Sequence, residues 1–82
     1  MTKEEIVSSL RELLRKQKQL KVDVEKIQLD TRFDQIGFDS LSILDFMYDV
    51  EGRFAVLPEM ADLVRMQKVS DLIDYLHPRV QS

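Results

Sequence analysis

The apolar residues of this chain recur at helical spacing in three separate segments, and no segment shows the alternation typical of a β-strand. The chain has 82 residues, enough for one hydrophobic core. Together these features predict a single domain over residues 1–82 with an all-α fold. We expect a small antiparallel four-helix bundle, in which three main helices and one short helix follow a long first loop.

The first helix has a signal at its start and an apolar stripe along one side. Thr2 and Glu5 fit the capping-box pattern, in which each side chain bonds to the other residue's backbone N–H. The stripe predicted to face the core consists of Ile6, Leu10, Leu13 and Leu14.

Between this helix and the next lies a stretch, residues 21–38, without a sustained period. We interpret it as a long loop with one helical turn, packed on the core by its apolar anchors. These anchors are Val24, Ile27, Leu29, Phe33 and Ile36.

A second main helix is expected from about Ser40 to Phe54. Its core stripe is predicted to contain Ile43, Met47, Val50 and Phe54. Leu41 and Tyr48 are expected at the border between this stripe and a polar face. Periodicity alone favours a wider buried stripe that includes them, and the alternative is that a partner reaches them there. That polar face is predicted to consist of Ser42, Asp45, Asp49 and Arg53.

Two further helices are predicted near the C-terminus. Pro58 can open a short helix, with Leu63 and Met66 pointing inward. A last helix is expected to begin at Lys68 or Ser70 and to end at His77, because the residue before Pro78 avoids helical geometry.

The charge distribution narrows the choice of partners. Residues 22–64 carry three basic and ten acidic groups, whereas residues 1–21 carry six basic and three acidic groups. An acidic middle segment repels nucleic acid and would steer toward basic protein surfaces. On charge alone, the favoured interpretation is a solvated face that aids solubility. The absence of cysteine excludes thiol catalysis and thiolate metal sites, and no apolar run is long enough to span a membrane. We expect a monomeric, cytoplasmic protein that binds no metal.

Ser40 follows Asp39 in the stretch QIGFDSLSILDF, where it could be a nucleophile, a helix cap or an attachment point. A nucleophile needs a base, and the single histidine, His77, lies near the C-terminus, so no catalytic residue and no enzyme activity are expected. Ser40 could instead cap the helix, but Asp39 competes for that position. With Asp39 as the cap, the Ser40 hydroxyl would be exposed at the positive end of the helix dipole. That position suits a phosphodiester.

The run GFDSLSILDFMYDVEGRF, with its spacing to Pro58 and to VSDLIDYL, resembles the acyl carrier proteins. These small helical proteins carry acyl groups as thioesters on a 4′-phosphopantetheine arm. The resemblance covers nearly the whole chain. The short triplet Asp-Ser-Leu gains specificity from its context, since a long loop precedes it and an acidic amphipathic helix begins at it.

The resemblance implies a role for each matched residue. Ser40 would receive the arm, which a phosphopantetheinyl transferase takes from coenzyme A, and Asp39 and Leu41 would complete the attachment triplet. Partner enzymes with basic docking patches, for acyl loading, elongation or acyl transfer, would recognise Asp45, Tyr48, Asp49 and Glu51. The inner helix face, which would line an acyl cavity, consists of Ile43, Met47, Val50 and Phe54.

Two departures from the family pattern suggest a specialised, free-standing member of a fatty-acid, polyketide or related pathway. Gly52 and Arg53 interrupt the acidic run, and the first helix is unusually basic. A peptidyl, aryl or D-alanyl carrier would share the same fold and serine, and an unmodified helical interaction domain would share the bundle. These alternatives stay open at the level of sequence.

Overall fold

The computed structural model describes residues 2–18 and 20–80. Its regular structure over these residues is helical, apart from one isolated bridge between Arg32 and Lys68. No helix in this part of the chain is long and apolar enough to cross a bilayer. The five α-helices are α1 (Lys3–Arg15), α2 (Phe33–Ile36), α3 (Ser42–Phe54), α4 (Met60–Leu63) and α5 (Val69–Leu76), and a 3₁₀ turn spans Val24–Lys26.

Helix α1 forms as its sequence predicts. The Thr2 hydroxyl accepts a hydrogen bond from the Glu5 backbone N–H at 3.1 Å, and the Glu5 carboxylate accepts one from the Thr2 N–H at 2.9 Å. Both capping bonds satisfy donors that a helix start leaves unpaired. The four predicted stripe residues are buried, and they pack in the core against α3 and α5.

The first loop is held on the core at several points and contains two helical turns, one more than predicted. Ile27, Phe33 and Ile36 are buried, and Val24 is half-buried. Leu29 was expected to be an anchor, but its side chain is 53% exposed. Its backbone makes the attachment instead, because the Leu29 carbonyl accepts a hydrogen bond from the Ser70 N–H at 2.8 Å.

Helix α3 runs through Gly52 to Phe54 and ends at Ala55, which adopts a left-handed conformation with φ 59°. Met47, Val50 and Phe54 are buried as predicted, and Ile43 is half-buried. The sequence prediction missed Phe46, which is only 1% exposed. Its ring packs on Phe38, a residue of the preceding loop.

The last two helices lie close to their predicted positions. Pro58 does not open α4, which begins at Met60 with Glu59 as its N-cap residue, because the Glu59 carbonyl accepts the first backbone bonds. Leu63 and Met66 pack against the core as expected. Helix α5 runs from Val69 to Leu76, within one residue of both predicted ends. The reason given for its end was wrong, because His77 keeps helical dihedral angles (φ −53°, ψ −48°) although it precedes Pro78.

Candidate functional site

The turn at the start of α3 holds the predicted attachment serine. The carbonyl of Asp39 accepts the backbone N–H of Ile43 at 3.1 Å, which is the first i to i−4 bond of this region. Regular α-helix begins at Ser42, so Ser40 and Leu41 form a lead-in turn, and the predicted start at Ser40 is two residues too early. The reason is that the first turn is tightened, with the Leu44 N–H bonded to the Leu41 carbonyl.

Asp39 caps this turn with its side chain, as the sequence suggested. Its Oδ1 atom accepts hydrogen bonds from the N–H groups of Leu41, at 3.0 Å, and of Ser42, at 2.8 Å. These bonds favour the ionised carboxylate. The backbone N–H of Ser42 is the largest cause that holds the pKa of Asp39 below its ordinary value, followed by the Ser42 hydroxyl and the Leu41 N–H.

Ser40 is exposed, and its hydroxyl makes no hydrogen bond within residues 2–18 and 20–80. It stands at the N-terminal end of α3, where the helix dipole favours negative charge. An uncommitted hydroxyl in this position fits covalent attachment of a phosphate-linked group, since neither burial nor a competing bond opposes it.

Ser42 is a participant that the sequence prediction placed only on the polar face. Its Oγ atom accepts a hydrogen bond from the Asp39 backbone N–H at 2.9 Å. Asp39 and Ser42 therefore bond reciprocally around Ser40, in the manner of a capping box in which serine stands three residues after the capping residue. The signal in the sequence was D-x-x-S, which has the spacing of the usual capping box S/T-x-x-E/Q but a shorter side chain at its last position.

Most residues predicted to meet partners are exposed along α3. Leu41 is 75% exposed and Tyr48 is 64% exposed, so the prediction that they widen the buried stripe is wrong. Asp45 and Glu51 also lie on the surface. Asp49 is exposed as well, but its Oδ2 atom accepts a hydrogen bond from the Gln17 side chain at 2.9 Å.

A second polar contact joins α1 and α3 beside this one. Arg53 donates to Glu12 at 2.7 Å. The polar face of α3 is therefore divided: Asp49 and Arg53 turn toward α1, whereas Asp45 makes no ion pair within the described chain.

Apolar side chains beyond the predicted site are exposed after α3. They lie just before α4, in its first residue and just after it. These residues are Leu57, Met60 and Val64.

The four residues predicted to line an acyl cavity lie in or against the packed core, and their role as a lining stays a prediction. Met47, Val50 and Phe54 are part of the packed core, and Ile43 packs against it. A groove of about 430 Å³ lies elsewhere, between α1, residues 27–29 and α5, and none of these four side chains lines it. Val7, Leu14 and Ile73 are among its apolar walls.

Comparison with known proteins gives a consistent family match. Residues 8–76 match the family described as "Phosphopantetheine attachment site". The chain is 30% identical over 81 residues to an acyl carrier protein of an Exiguobacterium species, covering 98% of this chain and 100% of that protein. It is 29% identical over 80 residues to the acyl carrier protein of Thermotoga maritima, covering 96% of each. It is also similar to the acyl carrier protein of Onion yellows phytoplasma, with 37% identity over 59 residues, 71% of this chain and 78% of that protein.

Proposed function

Because this chain belongs to the acyl carrier protein family, whose members are carriers with a 4′-phosphopantetheine prosthetic group and not enzymes, we propose that Ser40 holds this group. The observation that carries the proposal is the state of the Ser40 side chain. It is exposed at the start of α3, and the capping bonds that would otherwise engage it are made by Asp39.

The chain's own part in the modification is to present a hydroxyl. A phosphopantetheinyl transferase removes the proton from the Ser40 Oγ, which forms a new ester bond to the phosphopantetheine phosphate of coenzyme A. The bond from that phosphate to the adenosine bisphosphate part of coenzyme A breaks, and adenosine bisphosphate leaves. When bound, the group supplies the thiol that forms thioesters with acyl cargo, since the chain has no cysteine of its own.

The family's partners are phosphopantetheinyl transferases and biosynthetic enzymes. For this chain, acyl-loading, elongating or acyltransferase enzymes with basic patches are proposed to dock on the exposed part of α3. Asp45 and Glu51 supply the charge, and Leu41 and Tyr48 supply apolar contacts. Asp49 contributes less, because its carboxylate already accepts a bond from Gln17. The protein is proposed to shuttle between these enzymes as a monomer.

The cargo is proposed to be acyl intermediates of fatty-acid, polyketide or related biosynthesis. Gly52 and Arg53 stand where further acidic residues would strengthen docking, and Arg53 forms an ion pair with Glu12. This weaker acidic charge on α3 supports a specialised member of the family. Family membership also supports a four-helix bundle built from α1, α3, α4 and α5. Its inner face on α3 would loosen to admit an acyl chain between Ile43, Met47, Val50 and Phe54.

The experiment that tests the proposal is intact-mass analysis of wild type and Ser40→Ala, each incubated with coenzyme A and a broad-specificity phosphopantetheinyl transferase. Wild type should gain one phosphopantetheine, and Ser40→Ala should gain none. Failure of wild type to gain mass, or equal gain by both proteins, would overturn the assignment. Incubating the modified carrier with candidate acyl and aminoacyl donors then separates an acyl carrier from a peptidyl, aryl or D-alanyl carrier.

A further inference from the structure

The Ser40 hydroxyl is uncommitted because a neighbour occupies the capping position. Serine is itself among the preferred N-cap residues, and a capping serine turns its oxygen toward the backbone N–H groups two or three residues further on. Two residues in this turn can therefore cap α3, namely Asp39 and Ser40. In the structure Asp39 holds the position, with its Oδ1 atom bonded to two backbone N–H groups.

Ser42 forms two reciprocal hydrogen bonds with Asp39. Its Oγ atom accepts the Asp39 N–H at 2.9 Å, while its own N–H donates to the Asp39 carboxylate at 2.8 Å. The bond to the Asp39 N–H fixes the backbone of Asp39 relative to the first turn, and thereby holds the Asp39 side chain over the helix end. Ser42 is half-buried, whereas Asp39 and Ser40 are exposed. The side chain that fixes the Asp39 backbone is therefore the least solvated of the three.

We propose that Ser42 is a positioning residue for phosphopantetheinylation, which keeps the cap on Asp39 and so leaves the Ser40 hydroxyl available to the transferase. This inference rests on the proposed attachment at Ser40. Loss of the Ser42 oxygen weakens the hold on Asp39, and Ser40 then takes over the cap in a fraction of the molecules. In those molecules its oxygen accepts a backbone N–H and is turned away from the transferase.

The mechanism predicts a particular kinetic signature. A substrate that is competent in only a fraction of its molecules binds with an apparent affinity reduced by that fraction. Removal of the Ser42 hydroxyl should therefore raise the KM for the apo carrier by at most about five-fold, the full size of a typical capping contribution, and leave kcat nearly unchanged. A general loss of stability would move neither constant while the protein stays folded.

The test uses the full chain with Ser42→Val and Ser42→Thr, two variants of similar shape that differ in the hydroxyl acceptor. We expect the raised KM in Ser42→Val and near-wild-type constants in Ser42→Thr. Faster hydrogen exchange of the Asp39 amide in Ser42→Val, but not in Ser42→Thr, would locate the change at the cap. Equal KM values for the two variants would overturn the role of Ser42.

A stability control comes from the start of α5, where the Asp71 carboxylate accepts the N–H groups of Gln67 and Lys68 at 3.0 Å each. Asp71→Ala should lower stability without changing the KM for the transferase. A rise in KM equal to that of Ser42→Val would mean that the effect is general loss of structure, and would also overturn the inference. If wild type itself is not modified, the assignment of Ser40 fails, which is a different result from equal behaviour of the two Ser42 variants.

Discussion

The ring of Phe38 packs on the ring of Phe46, with centroids 5.0 Å apart. Phe38 is the residue before the capping Asp39, and Phe46 lies on the buried side of α3. A third ring, Phe33 in α2, meets Phe38 edge-on at 6.2 Å. The turn around Ser40 is therefore held from inside by aromatic packing and from outside by the bonds between Asp39 and Ser42.

Truncation of Phe46 should strongly destabilise the protein. Replacement of a buried phenylalanine by alanine costs about 3 to 5 kcal/mol, which is a large part of the stability of a small domain. Phe46→Leu should lose less and is the variant better suited to measurement by urea unfolding. Tyr48→Ala, an exposed change on the same helix, should stay within about 0.5 kcal/mol of wild type. Similar losses for Phe46→Leu and Tyr48→Ala would show that the aromatic contact does not stabilise the fold.

Gly52→Ala should stabilise the protein by up to about 1 kcal/mol, because alanine has the higher helix propensity. Gly52 lies inside α3, and a Cβ atom added there would meet no other atom within 4 Å. The change in the free energy of unfolding can be measured by urea titration.

Gly37→Ala is the matched control for this substitution. Gly37 has φ 120°, a backbone conformation that residues with a side chain rarely adopt, so the same replacement there should destabilise the protein. Loss of stability in Gly52→Ala would mean that position 52 has a packing role that the structure does not contain.

Stability should fall in acid as the capping carboxylates become protonated. Backbone hydrogen bonds hold the pKa values of three carboxylates below their ordinary values. The largest cause is the Ser42 N–H for Asp39, the Thr2 N–H for Glu5 and the Gln67 N–H for Asp71. Because these groups bind protons more weakly in the folded state, their contribution is present above the ordinary pKa, and it is lost as pH falls through the lowered pKa, from about pH 4 downward.

Asp39→Asn isolates one of these contributions. Asparagine is an equally good N-cap but does not titrate, so the difference in unfolding free energy between pH 7 and pH 3 should be smaller than in wild type. A difference as large as that of wild type would show that Asp39 has no part in the acid response.

The main helices could be predicted because their apolar stripes and caps are local features of the sequence. The bonds between Thr2 and Glu5 follow from residues within one turn of each other. The end of α5 was predicted within one residue, but the rule used for it does not hold, since His77 has helical dihedral angles. Phe46 was missed because it lies at the edge of the stripe, and its burial depends on packing with other elements, including the ring of Phe38 in the preceding loop. Leu29 was misjudged because its backbone, not its side chain, joins the loop to α5.

The candidate site was predictable in part for the same reason. Asp39 as cap and Ser40 as the free serine follow from neighbouring residue types. The contact of Asp49 with Gln17 could not be predicted, because the two residues are 32 positions apart and meet only when the segment after α1 packs beside α3. This contact now separates Asp49 from the other acids of the proposed docking face.

The double variant Asp45→Lys and Glu51→Lys should slow phosphopantetheinylation by about ten-fold at low ionic strength, since steering by opposite charges raises association rates by this order or more. The effect should shrink as salt is added. Initial rates at two salt concentrations measure both features.

The matched control for this charge reversal is Asp23→Lys with Asp30→Lys. Both residues are exposed in the first loop, and the pair produces the same net charge. Rates that fall equally in the two double variants would indicate that total charge matters and that the α3 face does not.

The decisive measurement is the position of the modification within the chain. Trypsin cleavage after Arg32 and Arg53 releases residues 33–53, which contain two serines, Ser40 and Ser42. Fragmentation of this peptide from the modified protein should place the phosphopantetheine on Ser40 and leave Ser42 unmodified. Phosphopantetheine on Ser42, or on any residue outside this peptide, would mean that Ser40 is not the attachment point.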